Sequence, residues 1–159
     1  MNDSLISAQV RERPAERWLR QARELALSYS LEVQGNDPEA NGSDVTTLHL
    51  AAATLWRTSG GAPCWSKFDP DAFRDDLERS GLTTFAIEAM QLTVHTLYCY
   101  LARHGLLSPA LALAAQDRIV PHVRDLVRRL VGDDSTLAGH PALAERGAWS
   151  AADAAAMLN

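Results

Sequence analysis

The sequence predicts an all-α fold, a single-domain helical bundle of about five to seven helices around a buried central helix. Three observations lead there. Residues 82–104, LTTFAIEAMQLTVHTLYCYLARH, run between two glycines and are apolar on nearly every side, and a helix with no polar face has to sit inside something. Elsewhere apolar residues recur three and four apart, the period of amphipathic helices. No segment alternates with the period of two that marks a half-buried strand, and no internal repeat is present. With 159 residues, 47% of them hydrophobic, the chain is long enough for one core and short for two.

The elements follow in order. Pro14 opens the first helix, in which Trp18, Ala22, Leu25 and Tyr29 form one inward stripe ending near Val33. Residues 34–44, QGNDPEANGSD, are polar with two glycines and a proline, the composition of a mobile loop. Ser43 or Asp44 then caps a second helix, with Leu48, Ala52 and Leu55 facing inward and Ser59, Gly60 and Gly61 ending it. Asp69 is placed as the N-cap of a third helix, Pro70 as its first residue, and Phe68 can close on Phe73 as a hydrophobic staple. Gly81 ends that helix.

In the central helix Ile87, Met90, Val94, Leu97 and Leu101 alternate three and four apart, Phe85, Leu92 and Tyr98 cover other sides, and Gly105 caps the end. Ser108 and Pro109 begin a helix reaching about Ile119. Pro121 predicts a kink or a fresh start before Val123, Leu126, Val127 and Leu130. Residues 133–159 form a weakly defined tail, where Ser150 and Asp153 can begin a short alanine-rich helix.

Composition narrows the function classes. The longest uncharged run, between Glu88 and Arg103, falls short of the roughly 20 apolar residues that span a bilayer. The N-terminus has no basic start followed by an apolar run, so a cytoplasmic protein is expected. Cys64 and Cys99 match no zinc spacing and read as two reduced thiols. His95 and Cys99 sit one turn apart with Glu88 two turns below His95. Three or four convergent ligands would be needed to make that a metal site, and His122 is the nearest further candidate. No cofactor is expected. Gly60 and Gly61 lack the lysine and serine of a phosphate loop, Ser59 lacks the glycines of a nucleophile elbow, and Asp71, Asp75, Asp76 and Glu78 read as a wet helix face. The run LARHGLLSPALALAAQDR has the outline of a helix-turn-helix, but Ala110 to Ala115 would offer methyl groups to base edges, and a core turn between packed helices explains it as well.

Charge is the feature that suggests work. Arg13, Arg17 and Arg20 share one helical face, Arg124 and Arg128 lie one turn apart on another, and the third helix is acidic, so the net charge of −5 conceals separated signs. Each face is either a solvated surface or a patch that meets a partner, with spare arginines along a phosphate backbone. Trp18, Trp56, Trp65 and Trp149 add a residue type enriched, like arginine, at interface hot spots, with packing inside the single domain as the alternative for Trp18 and Trp56.

The segment SGLTTFAIEAMQLTVHTLYCYLARHG, residues 80–105, resembles the helix of the small all-helical subunits of CRISPR effector complexes, with a Gly-Leu start, an amphipathic stretch ending in aromatic and leucine residues, and a closing glycine. The resemblance implies a non-catalytic subunit, repeated head to tail along a ribonucleoprotein, whose exposed arginines touch RNA or single-stranded DNA. The residues alone lead to a structural or adaptor subunit without turnover. The alternative is a dimeric helical regulator binding DNA or a small apolar ligand.

Overall fold

The computed structural model describes residues 12–131. Five α-helices follow in order, α1 (Pro14–Gln34), α2 (Pro38–Thr58), α3 (Pro70–Arg79), α4 (Thr84–Arg103) and α5 (Pro109–Val131), with one 3-10 turn at Trp65–Lys67. No strand occurs among the described residues, and no helix there is long and apolar enough to cross a membrane. The expected tail helix at Ser150 lies outside the described residues, as does Trp149.

Two helical hairpins make the bundle, α1 against α2 and α4 against α5, with α3 bridging α2, α4 and α5. The core joins them: Ala26, Tyr29, Leu48 and Ala51 from the first hairpin meet Leu92, Val94, Leu97, Ile119 and Leu126 from the second. Directional bonds fix the register of these smooth surfaces. The Tyr29 and Thr96 hydroxyls share a hydrogen bond of 2.6 Å, and Trp18 donates to the Ala52 carbonyl at 2.8 Å. Fully buried Gln91 donates to the Pro70 carbonyl at 2.8 Å, and the Tyr98 hydroxyl donates to that of Trp65. A buried amide or hydroxyl without a partner would cost about 1–3 kcal/mol, so each bond excludes neighbouring registers.

Helix ends follow the local signals closely at α3 and α4. Asp69 accepts from the Asp71 and Ala72 amides, and the Phe68 and Phe73 rings meet edge-on at 5.4 Å. At the other end Gly81 has φ +79°, its amide reaches the Glu78 carbonyl, and the Leu82 amide reaches that of Leu77. The same paired bonds recur after α4, where Gly105 at φ +67° donates to Ala102 and Leu106 to Leu101. These are Schellman caps, which need a left-handed residue that glycine supplies without strain.

Three expectations are corrected. Residues 34–44 are not a loop: only 35–37 connect the first two helices, and α2 begins at Pro38 rather than after Ser43 or Asp44. Asp37 caps it by accepting from the Glu39 and Ala40 amides, the same Asp-Pro start as in α3. The polar residues that suggested a loop are an interhelical contact, with the buried Ser30 hydroxyl 2.7 Å from Asn41 and 2.8 Å from Asp44. At Pro121 the fresh start does not occur, since α5 continues as one helix through this proline. Its ring lies on the exposed face with Asp117, so the carbonyl that loses its amide partner faces water. Phe85 covers no core, being 53% exposed in the first turn of α4, while the helix is enclosed chiefly from Gln91 to Leu101.

Gly105→Ala is a clean test of the α4 cap, because a Cβ there would meet no heavy atom within 4 Å. The cost should be the backbone term alone, about 1 kcal/mol, read as a lower urea midpoint with unchanged slope.

Candidate functional site

Arg13, Arg17, Arg20, Arg124 and Arg128 are all exposed, but they are not equally available. Arg20 holds Glu12 in a two-pronged contact, Nε to Oε1 at 2.8 Å and Nη2 to Oε2 at 3.1 Å, and reaches Glu24 at 3.0 Å with Nη1. Its bond with Glu12 keeps that carboxyl below the usual range and raises the guanidinium further above its own. Arg17 lies 3.8 Å from Glu12, and Arg128 the same distance from Asp125. Among the described residues Arg13 and Arg124 have no ion pair. The stripe on α1 is therefore a mixed-sign surface at its centre, and no carboxylate among the described residues links it to Arg124 or Arg128 of α5.

Glu88, His95 and Cys99 do not converge. His95 is buried in the core, the Cys99 sulfur accepts from Gln116 at 3.1 Å, and Glu88 turns to Arg129 at 3.3 Å. No group of three or more His, Cys, Asp or Glu side chains among the described residues is placed to hold a metal. Neither Cys64 nor Cys99 is in a disulfide.

Glu88 instead lines a cleft of about 170 Å³ where α3, α4 and α5 meet, together with Arg74, Glu78, Thr84 and His122. His122 Nε2 lies 3.1 Å from Asp71, yet burial outweighs that carboxylate and holds the imidazole below its usual pKa. Burial likewise raises the Glu88 carboxyl, against the pull of Arg129. Arg74 is shared among Asp71, Asp75 and Glu78 at 3.6 to 3.9 Å. Each charged group of the cleft thus already has a partner, and the cluster ties three helices together. Sequence spacing gave no sign of it, since Asp71 and His122 are far apart along the chain. On the same helix Asp76 departs from the expected wet face: it accepts from Thr54 at 2.6 Å and Arg57 at 2.8 Å, and also pairs with Arg79.

The surface that sequence reasoning passed over is apolar. Leu106, Leu111 and Leu113 are 60%, 49% and 59% exposed, and Ala110 and Ala114 are exposed beside them. The turn does pack inward through Leu101 and Leu107, but of Ala110 to Ala115 only Ala112 and Ala115 are buried. One signal was available: residues 105–116 carry no charge. Of the tryptophans, Trp18 and Trp65 pack on each other at 5.6 Å, and Trp18, Trp56 and Trp65 are all half-buried within the bundle.

His95 carries a pH signature. Burial alone pushes its imidazole from 6.5 down to about 4. The unfolded chain takes up that proton near pH 6.5 and the folded chain resists it, so the stability held above pH 6.5 is lost as pH falls towards 4, by up to about 3 kcal/mol. Denaturation of the wild type and His95→Gln across that window should show the variant losing less. Parallel curves would remove His95 as the cause.

No protein-family model matches this chain, and neither a curated protein nor a solved structure matches it.

Proposed function

We propose that this chain is a structural or adaptor subunit of a larger assembly, working through its surfaces without turnover of its own. The observation that carries this reading is the apolar face at the start of α5 and the turn before it. Leu106, Leu111 and Leu113 are the most exposed leucines among the described residues, at 60%, 49% and 59%. Scattered exposed leucines are ordinary, but three within eight residues, flanked by exposed alanines, make the kind of patch that a partner covers. Aliphatic side chains interleaved with alanine suit another helix, which can approach closely over the small residues.

A ribonucleoprotein of the type implied by residues 80–105 is one form such an assembly can take. What supports nucleic-acid contact is the free charge of Arg13 and Arg124, whereas Arg17, Arg20 and Arg128 have carboxylates to give up before they meet phosphate.

Two measurements test these readings. Leu111→Asp with Leu113→Asp, both at exposed positions, should leave the circular dichroism unchanged and abolish a partner that co-purifies in fixed ratio with the untagged wild type from its native host. Retention of the same partner by the variant would overturn the assignment of this face. For nucleic acid, replacing Arg124 should flatten the slope of log affinity against log salt by roughly 0.7 to 0.9, and replacing Arg20 should change it much less. Equal effects, or no salt dependence at all, would set the backbone contact aside.

A further inference from the structure

The outer face of the α1–α2 hairpin contains a residue that the isolated chain does not need. Gly42 lies within α2 with an ordinary negative φ, and a Cβ built on it would meet no heavy atom within 4 Å. Neither backbone conformation nor internal packing therefore calls for glycine. In an exposed helix it is less favourable than alanine by about 1 kcal/mol. What a missing side chain does supply is room for another backbone to come close from outside.

Gly42 lines an open groove of about 600 Å³ with Leu27, Val45, Thr46 and Arg23. Leu27 in the groove is 46% exposed, and Leu31, one turn further along the same face of α1, is 45% exposed. The charges around this face are uneven. Arg20 is satisfied by Glu12 and Glu24, while Arg23 and Glu39 are exposed and have no ion pair among the described residues. Arg23 lies one turn before Leu27 on α1, and Glu39 one turn before Gly42 on α2. The two helices run antiparallel, as the contacts of Trp18 with Ala52 and of Ser30 with Asn41 require. The two unmatched charges therefore lie towards opposite ends of one apolar strip.

We propose that this face receives the same face of a second copy, in a two-fold dimer whose closest backbone approach is at Gly42. A two-fold axis through the middle of the strip sets Arg23 of each copy opposite the partner's Glu39, so both charges are matched twice. Leu27 and Leu31 then cover each other, and two hairpins become a four-helix layer. The proposal uses none of the residues on which the α5 reading rests, so each can fail without the other.

Sedimentation equilibrium on the full chain is the test. The wild type should move with concentration from 17.3 kDa towards twice that mass. Gly42→Ala should raise the denaturation midpoint of the dilute monomer yet weaken dimerisation about ten-fold or more, a pairing of effects that a merely structural glycine would not give. Gly42→Met and Leu27→Asp should each leave a folded monomer. Arg23→Glu and Glu39→Arg should each weaken the dimer, and the double exchange should restore it. A chain that remains at the monomer mass up to its solubility limit, a dimer indifferent to Gly42→Met, or a double exchange no better than either single one would overturn the proposal.

Discussion

Enclosure of α4 is the constraint on which the rest of this structure depends. From Gln91 to Leu101 the helix offers water almost nothing, with only Thr93 and Cys99 less than fully buried. A single neighbouring helix covers one stripe of such a rod, so several must surround it. The α1–α2 hairpin, α3 and α5 do so, and each presents its own apolar stripe inward as a result. Because hydrophobic contact is non-directional, enclosure alone leaves the rod free to turn or slide. Tyr29, Trp18, Gln91 and Tyr98 remove that freedom, each reaching one particular atom on another element.

The fold was largely legible in the sequence because its strongest signals are local. Asp69 with Pro70, Phe68 with Phe73, and the glycines at 81 and 105 act within a few residues of themselves, and the structure repeats them almost position by position. The second helix was misplaced for the reverse reason. The Asp37-Pro38 start was readable by the rule applied to Asp69, but the polar run after it resembled a loop until Ser30, distant in sequence, arrived to bond Asn41 and Asp44. Pro121 illustrates the same limit: whether a proline breaks a helix depends on where the orphaned carbonyl points, which tertiary position decides.

Surface features were less legible, because charge in a sequence says nothing of whom it faces. Arg20 belonged to the predicted cationic stripe, and it is the arginine of that set most fully occupied by carboxylates. His122 had no evident companion in the sequence, and it sits in a cleft beside Glu88 with Asp71 as its hydrogen-bond partner. The first outcome is local, since Glu24 lies one turn along the same helix and Glu12 just before its start; the second follows from helix packing, which brings together residues of unrelated chain position. An uncharged run such as 105–116 is a better guide, since it limits what can face water whichever way the helix turns.

The position of α4 in the chain has a consequence for synthesis. Its partners lie on both sides of it in the sequence, so as the polypeptide emerges α1, α2 and α3 can begin to pack before it, while the side facing α5 stays open until Val131 has appeared. Until then Leu97, Leu101 and their neighbours have no cover from the second hairpin, and the nascent chain is at its stickiest just before the last described helix is released.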